Sequence, residues 1–531
     1  VTVSEQTSPL TKIHLPKLSV NYLKNADRVY LSETFVLKGK FEENEGNVVA
    51  NGSLVEQRRK TSSFEVGNEL FWMGRTEKGA RRHVHANVSF KRTPTLRLSF
   101  NSLLYGGRLE GAYGQTAQSS TLSMNVGSSF QIPIGKSFRL NLPVSVSAMY
   151  DDLETYRTAT GEMNDICGWA FTPTLNPGFE IHSRNRRFYL SAGIGAALKG
   201  LYYNRRNSES HPSSLEDGRV VTEEGKANKL NYTKPVLNPS MGINYTFSAN
   251  SKLSFSTGYT TSIGDMMTLL TEPMQVDYRS VRTSSGIIGE SNTWHTSGDW
   301  KWQLPMQYFT LSLAGSHSEG KRNTLYSQSV SGIDVSSSAL QRDTRSRSTN
   351  FYVSSTKNFP SLFAKLGADA TYGFGDSEQA ITSTEGAADI IKIRSTNYNL
   401  HGNAAVTPVP WLELRYDIRY GWLRSCYSEE SNTTTSLTHS GAVHVFPIAT
   451  LDLSLDYDHV RRQITTDQYK NMSLFNASAQ FKFRQCVLRL ELTNLLNQCS
   501  YAYTVFDGIN TYSYDYGLCG RTGMLRVIYK L

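Results

Sequence analysis

The side chains near the C-terminus alternate between apolar and polar with a period of two. Phe475, Ala477, Ala479, Phe481 and Phe483 are interleaved with Asn476, Ser478, Gln480, Lys482 and Arg484. Just upstream, Leu451, Leu453, Leu455 and Tyr457 are interleaved with Asp452, Ser454, Asp456 and Asp458. Successive side chains of a β-strand point to opposite faces, so each set occupies one face. One face is wholly apolar and the other wholly polar or charged. The chain closes with Leu525, Val527, Tyr529 and Leu531 against Arg526 and Lys530. This pattern predicts strands with lipid on one side and water on the other.

The same unit recurs along most of the chain. Val84, Ala86, Val88 and Phe90 oppose His83, His85, Asn87 and Ser89. Leu96, Leu98, Phe100 and Leu104 oppose Arg97, Ser99 and Asn101. Leu366, Ala368 and Ala370 oppose Lys365, Asp369 and Thr371, and Leu412, Leu414, Tyr416 and Ile418 oppose Glu413, Arg415, Asp417 and Arg419. Clear strands are also expected over 48–57 and 63–73. Tight turns, many with Pro, are predicted at 93–95, 133–136, 183–186, 248–251, 305–306, 358–361, 407–410, 446–448 and near Gln485. Pro is tolerated there because a turn needs no ladder donor from it. Between these turns lie longer polar connections: 152–167, 204–227, 267–293, 321–343, 375–394, 424–432 and 497–510. Short turns alternating with long loops are the mark of an outer-membrane barrel, with short periplasmic turns and long extracellular loops.

The expected fold is therefore an all-β, transmembrane, antiparallel up-and-down β-barrel of about 22 strands, even in number so that it starts and ends on the short-turn side. Residues 1–28 hold Pro9 and Pro16, alternate weakly, and are expected to form a lead-in or linker; residues 29–531 form the barrel. Closure is required because an unpaired edge is costly in lipid. A propeller is the structural rival, but propellers repeat in blades of four strands, whereas the period here is two.

Composition agrees. No run approaches the roughly 18 apolar residues of a membrane helix, which leaves barrel strands of about 9–11 residues as the spanning element. The 29 tyrosines favour strands and membrane interfaces. The net charge is +9, but the basic residues are dispersed, so no nucleic-acid groove is expected. The five cysteines contain no CxxC; Cys499 and Cys519 flank one expected loop and could be bridged in an oxidising compartment.

Catalytic, cofactor and metal residues are not expected. His83 and His85 share a face, but no third ligand can be assigned. The SxxK spacing at Ser354–Lys357 lies in an extended stretch, and Gly193 and Gly195 lack the rest of a dinucleotide fingerprint. HExxH, GxSxG and P-loop patterns do not occur, so an outer-membrane enzyme is disfavoured. The candidate lumen-lining charges are Arg97, Asp369, Arg415, Asp417, Arg419, Lys482 and Arg484. A lumen about 22 strands wide is the size found in transporters whose bore is plugged.

The chain resembles the barrel domain of the TonB-dependent receptor family. Asn494-Leu495-Leu496-Asn497 followed by Tyr501 is similar to that family's Asn-Leu-Phe-Asn-x-x-Tyr stretch, and Tyr516–Arg521 with Met524–Leu531 is similar to its final strand. The N-terminal plug and TonB box of the family are not visible, and Leu531 stands where an aromatic is usual. The resemblance implies an outer-membrane transporter taking up a bulky ligand (nutrient, siderophore, oligosaccharide or peptide). Its partners would be outer-membrane lipid, a plug domain on this or another chain, a TonB-type energy-transducing protein and a surface lipoprotein. The alternative is a plug-less barrel serving as scaffold or channel in a surface complex with lipoproteins.

Overall fold

The computed structural model describes residues 2–50, 53–77, 79–100, 113–157, 160–205, 228–264, 269–276, 280–283, 286, 288–331, 334–382, 388–427, 430–465, 468–507 and 510–529. One sheet takes in all 27 strand segments. Four pairs of segments are single passes interrupted by two to six irregular residues: Thr2–His14 with Lys17–Ala26, Met163–Leu175 with Gly178–His182, Cys486–Thr493 with Ser500–Asp507, and Asn510–Gly517 with Thr522–Tyr529. Two more, Met274–Gln275 and Ser280–Thr283, belong to a loop, so the described wall has 21 passes. Each is antiparallel to the next in sequence. The ladder returns to its start where Thr2–Thr7 pairs in parallel with Thr511–Tyr516, which joins the first and last passes of the ring at its long-loop end.

Residues 2–26, expected as a linker, are the first pass of that ring. They pair with the whole length of Val29–Ala50, and Asp27-Arg28 forms the turn. Pro16 interrupts the ladder without ending it, because Gly39 lies opposite. The Gly39 amide donates to the Pro16 carbonyl at 2.8 Å, and a Cβ on Gly39 would come within 2.9 Å of the proline ring. The first pass therefore runs from the long-loop end to the short-turn end, in the same direction as the last. That corrects the expected even count: the seam between them is parallel, and no pairing joins Lys17–Ala26 to Thr522–Tyr529.

Short turns fall where predicted at one end of the ring. Gly135 takes φ +67° and Arg186 φ +55°. Two turns share a design: Pro305 and Pro360 each open one 3-10 turn, and the aromatics that end them, Tyr308 and Phe363, sit in the left-handed region. The predicted turn at 93–95 is instead a β-bulge inside the continuous strand Arg81–Phe100, where the register shifts between Thr93 and Leu96. The strand predicted over 48–57 spans a hairpin between Val29–Ala50 and Ser53–Arg75.

The opposite end differs from expectation. Most predicted long loops are continuations of the strands: Phe309–Ser331 pairs with Asp334–Phe359 up to their tip, and Ala364–Thr382 does so with Ala388–Val409. Antiparallel pairing outside the membrane needs no apolar face, so these polar hairpins extend the wall into solvent. The loop at 206–227, the strand end expected at 101–105 and the last residues, Lys530 and Leu531, lie outside the described residues.

The apolar face is continuous around the ring and remains exposed: Phe35 and Leu37, Val126 and Phe130, Ile194 and Leu198, Leu453 and Leu455 all stand on it. Aromatics band it twice. Near the short turns Trp300 stacks beside Trp302, and Phe481 beside Phe483. One crossing higher lie Tyr150 with Trp169, Tyr259 with Trp294, and Tyr398 with Tyr372 and Trp422. Two aromatic girdles bounding an apolar band match the two interfaces of a bilayer. A soluble sheet would cover these side chains with a second layer.

Candidate functional site at the mouth of the barrel

The polar face lines the lumen with charge pairs. Lys38 meets Glu65 at 2.9 Å, Arg139 meets Glu180 at 3.1 Å, and Arg489 meets Glu491 at 2.6 Å. The densest cluster centres on His401. Its Nδ1 lies 2.8 Å from Asp369 Oδ2 and its Nε2 2.5 Å from Asp417 Oδ2. The Tyr352 hydroxyl donates to the other Asp369 oxygen at 3.0 Å, and Arg419 holds the other Asp417 oxygen at 3.0 Å. Arg415 is beside them, engaged with Glu413 at 2.7 Å.

Four of the seven charges predicted to line the lumen, Asp369, Arg415, Asp417 and Arg419, thus come together on adjacent strands. Lys482 is on the same face of another arc, near the short turns. Two do not line it. Arg484 is the left-handed residue of a short turn, φ +50°, with its guanidinium 5.5 Å from the centre of the outward Phe483 ring. Arg97 faces outward: the bulge at Thr93–Leu96 reverses the alternation, and register places Arg97 beside Lys60 and Glu43, on the face of Phe41, Leu37 and Phe35. Leu98, read as part of the apolar face, is buried on the inner side at 4% exposure.

His83 and His85 stay apart from any metal-like set. His85 Nε2 contacts Asn125 Oδ1 at 3.1 Å, and no group of three His, Cys, Asp or Glu could hold an ion among the described residues. Ser354–Lys357 is strand, and all five cysteines are unpaired thiols.

The feature that sequence reasoning missed is a strap across the long-loop end. It lies between the strands Ser251–Ile263 and Glu290–Leu304. Leu269 and Leu270, 1% and 4% exposed, pack inside the ring on Leu153, Ile166, Leu201 and Tyr203. Those four residues alternate with the outward Tyr202, Trp169 and Tyr156, so the strap sits on the lumen side. Each buried leucine contributes about 1.5–3 kcal/mol to docking. Polar contacts fix its course. Arg205 donates to the Leu269 carbonyl at 2.6 Å, and burial pulls its guanidinium below the ordinary value. Asn164 holds both backbone groups of Glu272, at 3.2 and 3.0 Å. The Gln275 amide donates to Gln115 Oε1 at 2.6 Å. Tyr232 packs on the same cluster; burial, then its bond to Glu290, pushes its phenol up to about 12.

From there the strap turns back, and Ser280–Thr283 joins the edge of Val335–Ser338 in parallel. It therefore spans from the strands Tyr113–Ile134 and Met163–Leu175 to Asp334–Phe359, a chord across the mouth. Beside its far end is a cavity of about 720 Å³ lined by Arg282, Arg322, Tyr326, Thr344, Arg345 and Glu378. Nothing local in the sequence marks the strap, because Asn164 and Glu272 are 108 positions apart. Replacing Asn164 by Ala removes both contacts and leaves the Glu272 amide unpaired, a loss of about 1–3 kcal/mol. Limited proteolysis should then cut within 265–287 faster than in the parent, while the wall stays intact.

No family model and no curated protein matches the chain. Solved structures do. "Copper transporter OprC" superposes with a TM-score of 0.53 at 10% identity, over 98% of this chain and 79% of that one. The ferric-catecholate import receptor Fiu from E. coli K12 aligns at 0.49 and 11% identity, over 98% and 81%. The ferric yersiniabactin uptake receptor FyuA from Yersinia pestis aligns at 0.45 and 10%, over 99% and 80%. At this identity the likeness to OprC is one of fold.

Proposed function

We propose, for a chain that has the outer-membrane β-barrel fold of the TonB-dependent receptors, that it is the barrel of a receptor taking up a bulky ligand. Energy would come from the inner membrane through a TonB-type protein. A ring this large encloses a bore that would leak if left open, so the working receptor needs a plug, carried on the same polypeptide or on another. Asp369, Arg415, Asp417, Arg419 and Lys482 supply the charged wall along which a solute moves. Ligand entering from outside first meets the extended hairpins, then the cavity at Arg282, Arg322 and Arg345, then the strap.

The observation that carries this reading is the strap: a chord held by buried leucines and side-chain-to-backbone bonds across a wide, polar-lined mouth. A scaffold needs no such selective restriction. The test is conductance of the purified chain in planar bilayers. The expected result is a large, ungated conductance from this chain alone, with passage of solutes that a 16-stranded porin excludes. A folded protein that conducts no ions would overturn it.

A further inference from the structure

Arg97, displaced from the lumen by the bulge, belongs to a cationic patch on the outside of the barrel. On that face Phe64 and Phe90 lie 6.1 Å apart in the upper aromatic girdle. Arg92 registers directly opposite Phe64. Next above, Lys60 pairs with Arg97, and Arg58 with Ser99. Like charges directly opposite each other across a ladder are destabilising. Arg58 is held by Glu43 and Glu45, and the nearby Glu154 accepts from Gln118. Lys60 has Glu43 opposite it on its other side and acts on that carboxylate electrostatically, whereas Arg97 makes no ion pair among the described residues. Between Lys60 and Arg97 is a cleft of about 420 Å³, with Arg58, Lys60, Arg97, Ser99, Gly114 and Thr116 around it and the inner-side Leu98 and Gln115 also contributing to its lining. Gly114 lets the two strands approach closely beside the cleft, since a Cβ there would fall 1.9 Å from the Leu98 carbonyl oxygen.

We propose that this cleft binds the phosphomonoester headgroup of an outer-leaflet lipid. The height is right: the strand Ser53–Arg75 reaches Phe64 about one bilayer crossing above its short-turn end at Arg75, and the charges begin at that level. The charge is right: Arg97 and Lys60, with Glu43 opposite Lys60 on the far side, flank the Thr116 hydroxyl, which can also donate to a phosphate oxygen. The direction is right: the patch looks away from the lumen, where a transported solute would not reach it. The inference rests on the orientation of the barrel, and stands or falls independently of what the lumen carries.

The experiment compares three probes on the full chain in detergent by native mass spectrometry: a diphosphorylated acylated disaccharide (lipid A), its dephosphorylated form, and inorganic pyrophosphate. The parent should retain the phosphorylated lipid and release the dephosphorylated one. The double variant Lys60→Ser, Arg97→Ser should bind it roughly thirtyfold more weakly, from about 1 kcal/mol for each cation near a charged surface. Lys482→Ser with Arg419→Ser, which removes two lumen cations, should leave binding unchanged. Should the first double variant not fold, a photo-crosslinking residue at Thr116 must capture the phosphorylated lipid in preference to the dephosphorylated one. Equal retention of both lipids, equal binding by the two double variants, or pyrophosphate binding as tightly as the lipid would each overturn the proposal.

Discussion

Arginine at Leu455 should destabilise the folded barrel by about 2–4 kcal/mol, the cost of a cation near the middle of the lipid-facing band. Leu455 pairs across the ladder with Val443 on one side and Ala477 on the other, and Leu453 and Tyr457 flank it on the same face. None of these neighbours can pair with a guanidinium, and the side chain points into hydrocarbon. The adjacent residue gives the control. Asp456 faces the lumen, where water is available, so Asp456→Arg should change stability by no more than about 0.5 kcal/mol. Equilibrium unfolding in urea from lipid vesicles reads both. If the two substitutions cost the same, the two faces do not see different solvents and the membrane reading fails.

Excising the strap should have the larger consequence for permeation. Replacing 265–287 with a short Gly/Ser linker between Ile263 and Glu290 removes the chord while keeping both flanking strands. Single-channel conductance should rise severalfold, because the narrowest section of the mouth sets the resistance. Stability should fall by the lost leucine burial and the lost pairing of Ser280–Thr283 with Val335–Ser338, while the ladder bonds between neighbouring passes of the wall are kept. Unchanged conductance in a folded variant would show that the strap does not restrict the path. The Asn164→Ala variant should fall between parent and excision, as a strap that opens some of the time.

Much of this architecture was legible because its defining signal is local. A period of two is readable from residues 451–458 or 475–484 alone, and the short turns announce themselves through Pro305, Pro360 and Gly135. The failures have physical causes. Residues 2–26 were read as a linker because Pro9 and Pro16 look like breakers, but Gly39 opposite Pro16 lets the ladder continue. Arg97 was put in the lumen because Pro94 was read as a turn and Leu96, Leu98 and Phe100 as the lipid face of a new strand; the strand instead continues through a bulge there, which carries Leu98 inward and Arg97 outward. The polar hairpin tips were read as loops because, beyond the membrane, a strand has no apolar face to show. His401 was within reach, since Asn397, Asn399 and Asn403 mark its face as polar. Its two carboxylates come from neighbouring strands, and that pairing only register reveals. The strap was out of reach, because its anchors come from strands far from it in sequence.

A hoop of many staves resists stretching around its rim but is easily squashed into an oval. A tie fixed to two distant parts of the rim removes that freedom. Because the strap is anchored at Asn164 and Arg205 on one side and along Val335–Ser338 on the other, a push on either arc is delivered to the far one. The outer opening then keeps one cross-section until the tie is released.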